Sequence, residues 1–205
     1  MSGEISPSTT AAIGRRVIVV GSSCSGKSTV GARLAELLTA PFVELDALYW
    51  KPNWVGSEDE EFQQKIREAT AGDSWVVAGG YSRHTVPTIW PRADMIVWLD
   101  FPLRTSVWRI IRRSWRRSRS NELLWGTNHE KFWPQFKLWD DESLITFTVK
   151  NHRRRGRGYT AAMDNPRLLH VTWVRLQNQQ ELDKWLAGME AAVSEPLMAG
   201  HPPAP

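Results

Sequence analysis

Arg16-Val17-Ile18-Val19-Val20-Gly21-Ser22-Ser23-Cys24-Ser25-Gly26-Lys27-Ser28 is the stretch that decides the fold. Its first five residues are mostly β-branched and apolar, as in a strand buried on both faces of a parallel sheet. The run stops at Gly21. From Gly21 to Ser28 the spacing is G-x-x-x-x-G-K-[ST], and after it Val30, Leu34, Leu37 and Leu38 recur at helical spacing up to Thr39.

That order of strand, glycine-rich turn and helix has a physical purpose. Glycines let the backbone of Gly21, Ser22, Ser23, Cys24, Ser25 and Gly26 curl until successive N–H groups converge on phosphate oxygens. The helix that follows adds the positive end of its dipole. Lys27 is expected to reach the β- and γ-phosphates, and the Ser28 hydroxyl to ligate Mg²⁺, with Thr29 as a supporting neighbour. The loop therefore implies ATP and Mg²⁺. Cys24 is read as a small space-filler, with a thiol acidified by the helix N-terminus as the alternative.

Outward from the loop, strands and helices alternate. A second strand is expected over Pro41–Leu45, ending at Asp46. Ser57 and Glu60 have the spacing of a capping box, opening a helix that buries Phe62 and Ile66 and ends near Gly72. Trp75–Ala78 reads as a third strand, broken by Gly79-Gly80, and Met95–Leu99 as a fourth, ending at Asp100. Pro102 then suits the first position of a helix, with Leu103, Val107, Ile110 and Ile111 as its apolar stripe. Arg109, Arg112, Arg113 and Arg116 are expected on the opposite face. Ser118 to Lys131 reads as a flap, 132–155 as mixed helix, Leu168–Val174 as a fifth strand, and a closing helix begins near Asn178. Such alternation predicts an α/β fold with a five-stranded parallel sheet covered by helices on both faces.

Composition narrows the class. The chain has 205 residues, 41% of them hydrophobic, a net charge of +4 and a single cysteine. One cysteine leaves no internal disulfide framework and no four-cysteine zinc site. No apolar run approaches the length needed to cross a bilayer, and no signal peptide is apparent, so a soluble, cytoplasmic protein without a membrane partner is expected. Residues 1–14 and 195–205 read as loose tails around one domain, 15–194. Charge is unevenly spread: seven arginines and no acid lie between Phe101 and Asn121, and Arg153, Arg154, Arg155 and Arg157 form a second cluster. Solvated faces, a small phosphorylated ligand and nucleic acid are the three explanations. The twelve tryptophans are expected mainly in core and lid packing, and the five histidines show no metal-ligand spacing.

Together with the loop, Asp46-Ala47-Leu48-Tyr49-Trp50, Trp75 to Arg83 and Leu99-Asp100-Phe101-Pro102 resemble the adenylate-kinase-like P-loop family that includes proteins labelled DNA topology modulation protein. The resemblance runs from about Arg15 to Leu186. It implies a P-loop NTPase fold, an acceptor-binding segment at 46–72, and a helical, arginine-rich lid insertion at 118–157. By the same resemblance Arg109 packs on the base and Arg113 reaches the phosphates, and one of the arginines from Arg153 to Arg157 clamps the transferring group. The chain departs from the family at Ala78, where an acid is usual; Asp100 or Asp46 is then the expected substitute. Asp46 also suits a base for a hydroxyl acceptor. The expected activity is transfer of the γ-phosphoryl group of ATP to a nucleotide or small hydroxylated acceptor, by Lys27, Asp46 and Arg113. The alternative is a nucleic-acid-binding protein switched by ATP.

Overall fold

The computed structural model describes residues 14–120, 123–125, 128–129 and 143–194. Five strands form one parallel sheet in the order β2-β3-β1-β4-β7. They are β1 (Arg16–Gly21), β2 (Phe42–Glu44), β3 (Trp75–Ala78), β4 (Met95–Leu99) and β7 (Thr172–Leu176). Between them lie α1 (Lys27–Leu38), α2 (Leu45–Tyr49), α3 (Asp59–Ala69), α4 (Ser82–Thr88), α5 (Leu103–Ser120) and α6 (Leu144–Met163), and α7 (Gln179–Ser194) follows the last strand. A short antiparallel hairpin, β5 (Leu123–Leu124) with β6 (Asn128–His129), falls in the expected flap. The 1–13 and 195–205 tails and most of 121–142 lie outside the described residues.

Strand alternation divides the core into two layers. Ile18, Val20, Trp75, Val77, Ile96 and Trp98 face one side, with Phe62 of α3 and Tyr159 of α6. Val17, Val19, Val76, Val97 and Leu99 face the other, against Val30 and Leu34 of α1 and Leu182 and Met189 of α7. This is the period of two expected of strands covered on both faces. Trp75, Trp90 and Phe62 are fully buried; truncating such an aromatic to alanine costs about 3–5 kcal/mol.

The loop after β1 is held at the switch point of the sheet, where β3 pairs on one side of β1 and β4 on the other. That is where open parallel sheets bind ligands.

Several local expectations need correction. β2 ends at Glu44, so Asp46 is not at the strand end but inside α2. The chain turns from strand to helix at Leu45, which is fully buried. Ser57 does not cap α3: the N-cap is Glu58, and the Ser57 hydroxyl donates instead to the Leu48 carbonyl at 3.3 Å. The fifth strand is Thr172–Leu176 rather than 168–174. Leu168 and Val171 are buried, but they belong to a turn in which Asn165 Oδ1 accepts from the Arg167 N–H at 3.0 Å. On α5 the fully buried positions are Ser106, Ile110 and Ser114, while Ile111 is exposed. The arginines therefore divide, with Arg109, Arg113 and Arg117 half-buried and Arg112, Arg116 and Arg119 exposed. Among the described tryptophans Trp75, Trp90 and Trp98 are buried in the core and Trp173 and Trp185 pack against it, as expected, whereas Trp108 and Trp115 are more than half exposed, stacked under Arg112 and Arg119.

Candidate active site

The loop takes its shape from two glycines and one strained residue. Gly21 (φ +152°) leaves no room for a side chain, since a Cβ there would meet the Leu99 carbonyl oxygen at 2.7 Å. Gly26 (φ +99°) caps α1 in the left-handed region, and Cys24 also lies there, at φ +57°. The curl sends Lys27 back over its own loop, where Nζ donates to the Ser22 carbonyl at 2.8 Å. Lys27 keeps part of its surface in water, yet its ammonium is enclosed enough that its pKa falls from 10.5 to about 8. Burial is the main cause, the Arg155 and Arg113 charges add to it, and Asp46 opposes it. Those three side chains thus share one electrostatic neighbourhood with the loop lysine.

Asp46 stands opposite, on α2. It accepts a hydrogen bond from the Tyr81 hydroxyl at 2.7 Å. Burial and the Asp46 charge raise the Tyr81 pKa, so this phenol stays protonated and donating. Tyr81 reaches the carboxylate from a left-handed backbone (φ +39°) just after Gly79-Gly80. A bulky residue in that region costs about 1–3 kcal/mol, and such strain clusters at functional sites. Tyr49 packs on both Tyr81 and Trp50, and Trp50 on Trp54, forming an aromatic row beside the carboxylate.

The Ser28 hydroxyl donates to Glu44 Oε1 at 2.5 Å, and Glu44 Oε2 accepts from Trp125 Nε1 at 3.2 Å. Glu44 is in register with Ala78 across the β2–β3 pair. The strand beside Ala78, where the resemblance implies an acid, thus carries one in Glu44. Asp100 does not fill that place, because it is held by Arg175, which also covers Trp98. A hydroxyl and a carboxylate are hard oxygen donors, and Mg²⁺ is commonly held by one or two such groups with water and nucleotide phosphates. Ser28 and Glu44 fit that pattern. Among the described residues no cluster of three or more His, Cys, Asp or Glu could hold an ion unaided.

Arg109 donates from one nitrogen to the Ser25 carbonyl at 3.0 Å and from the other to Gln179 Oε1 of α7 at 2.7 Å, and lies over Phe101. Arg113, one turn on, is half-buried and its charge acts on Lys27. Thr29 is exposed in the first turn of α1, and Ser23 and Cys24 are half-buried in the loop. On α6 the four clustered arginines separate. Arg153, Arg154 and Arg157 are exposed; Arg155 is half-buried, acts on Lys27, and would stand 3.6 Å from a Cβ added at Gly80. The histidines are not all ordinary surface residues: His84 is buried beside Asp59, and His152 Nδ1 lies 3.0 Å from Ser22 Oγ in the loop.

Sequence reasoning missed Glu44 and His152. Glu44 had a signal, an acid two residues before Asp46 on an edge strand. His152 had none, because its partner is 130 residues away.

The sequence matches no family model and no curated protein. Solved structures do match. A shikimate kinase from Bacteroides thetaiotaomicron aligns at TM-score 0.50 and 16% identity, over 88% of this chain and 98% of that one. A gluconokinase from Sinorhizobium meliloti aligns at TM-score 0.46 and 19% identity, over 87% and 91% of the two chains. At such identities likeness establishes architecture alone. The chain has the fold of the P-loop NTPases, with a five-stranded parallel sheet and helices on both faces. No described helix is long and apolar enough to cross a membrane.

Proposed function

We propose that this protein is a small-molecule kinase that transfers the γ-phosphoryl group of ATP to a hydroxyl of a small acceptor. The observation that carries the reading is Asp46, held by the Tyr81 hydroxyl at 2.7 Å and near enough for its charge to act on the loop lysine, Lys27. A phosphate acceptor needs no base, whereas a hydroxyl acceptor benefits from a carboxylate that takes its proton.

The residues divide the work. The loop amides and Lys27 bind the phosphates, Lys27 exchanging the Ser22 carbonyl for phosphate oxygens. Ser28 and Glu44 would hold Mg²⁺, which would supply neutralising charge for the β- and γ-phosphates. Arg109 and Gln179 orient the base, and Arg113 and Arg155 meet the charge on the transferring group from α5 and α6. Asp46 accepts the acceptor's proton while the Tyr81 hydrogen bond fixes its orientation. The aromatic row from Tyr49 to Trp54 supplies a wall for the acceptor. The outward pairs Trp108/Arg112 and Trp115/Arg119 lie on the exposed side of α5 and take no part.

Asp46→Asn tests the assignment, since it keeps size and hydrogen bonding but removes basicity. Turnover with the best hydroxyl acceptor found in a screen for ATP consumption should fall about 10²- to 10⁴-fold, with ATP affinity nearly unchanged. An unchanged rate removes Asp46 from the mechanism and favours a nucleoside monophosphate as acceptor.

A further inference from the structure

One face of α6 is turned onto the phosphate loop, and it carries more than an arginine. His152, Arg155 and Tyr159 follow at helical spacing, so their side chains share one side of the helix. Each meets the site at a different point. His152 Nδ1 is 3.0 Å from Ser22 Oγ. Arg155 stands by Gly80 and acts on Lys27. Tyr159 is buried against the Gly21 backbone. Ser22 is also the residue whose carbonyl holds the Lys27 ammonium. The imidazole and the loop lysine thus converge on one residue at the loop opening, where the phosphate chain would lie.

We propose that His152 is a nucleotide-phosphate contact of this site, its imidazole turning from the Ser22 hydroxyl to donate, in protonated form, to a phosphate oxygen once the triphosphate fills the loop. This rests on the reading of the loop as an ATP site. With Arg155 one turn along the same face, α6 would bring two donors to the phosphate chain. A phosphate beside an imidazole favours the charged form of the ring, so binding is expected to draw protons from solvent. Lys27, which shares Ser22 with the imidazole, is acted on by Cys24 on the loop, Asp46 on α2, Arg113 on α5 and Arg155 on α6. Lys27, at about 8, is already mostly protonated below neutral pH, and the arginines stay charged throughout.

The test is titration calorimetry of the full chain with the β,γ-imido analogue of ATP and Mg²⁺, in two buffers of different ionisation enthalpy. His152→Gln keeps a polar partner for Ser22 but cannot titrate. Near pH 6.5 the wild type should take up more protons on binding than the variant and bind about tenfold more tightly. The affinity gap should narrow as pH rises from about 6.5 to about 8.5, since a charged donor makes the stronger hydrogen bond to phosphate. In the unsubstituted protein, the His152 ring resonance should titrate at higher pH with the analogue bound than without it. Equal proton uptake, a loss of affinity that is the same at both pH values, or a ring titration that ignores the nucleotide each overturns the proposal. Those outcomes leave the ATP site standing. Failure of the wild type to bind the analogue at all overturns both.

Discussion

Lys27 is held in the folded chain at an energetic disadvantage that nucleotide relieves, and this can be measured without any acceptor. Its pKa falls from 10.5 to about 8 because the ammonium is enclosed by protein beside two arginines. Below about pH 8 the lysine is charged in both folded and unfolded chains, so the full penalty is present. As pH rises from the folded value to the unfolded one, the folded chain gives up its proton first and the penalty fades. The displacement corresponds to about 3 kcal/mol. Partial solvent contact and the hydrogen bond to Ser22 reduce this, so Lys27→Met should stabilise the nucleotide-free protein by about 1–3 kcal/mol near pH 7. Urea unfolding of both proteins, without ligand, reads the difference directly. It should fall below half its neutral value by about pH 9.5. Adding ATP with Mg²⁺ should reverse the order, stabilising the wild type and leaving the variant nearly unmoved. A methionine variant less stable than the wild type at neutral pH, or a difference independent of pH, would refute the reasoning.

Two further outcomes follow from the geometry around the loop. Glu44→Gln removes the charge facing Ser28, so the Mg²⁺ concentration for half-maximal turnover should rise about 10- to 100-fold; an unchanged Mg²⁺ dependence would release Glu44 from that role. Arg155→Ala should lower turnover about 10³-fold or more, whereas Arg154→Ala, on the exposed side of the same helix, should leave the rate near normal. Steady-state rates that treat the two arginines alike would contradict the orientation of α6.

Most of the frame could be read from local pattern. β1, β3 and β4 are short apolar runs that end at glycine or aspartate, and all lie where their pattern puts them. β7 was displaced because Leu168 and Val171 are apolar for a different reason: they plug the end of the core from a turn. The loop was legible because its chemistry is written in consecutive residues. The rest of the site was not, for it depends on contacts between distant parts of the chain. Periodicity put Arg109 and Arg113 on one face of α5, but only the packing of α6 singles out Arg155 from its neighbours and delivers His152 to Ser22. Glu44 was passed over because an acid on a short edge strand looks like an ordinary solvent-facing residue; its meaning appears only when β2 pairs with β3 and places it next to Ala78.

That pairing bears on how the site tolerates change. Ala78 packs in the apolar layer against α1, and a Cβ added at Gly31 would come within 3.1 Å of its methyl group. An aspartate at position 78 would enter a gap sized for a methyl, so Ala78→Asp should not rescue a chain that has lost Glu44. The close fit of residue 78 on Gly31 leaves the adjacent strand as the place for the carboxylate, and a Glu44 variant has no neighbour to take over its charge.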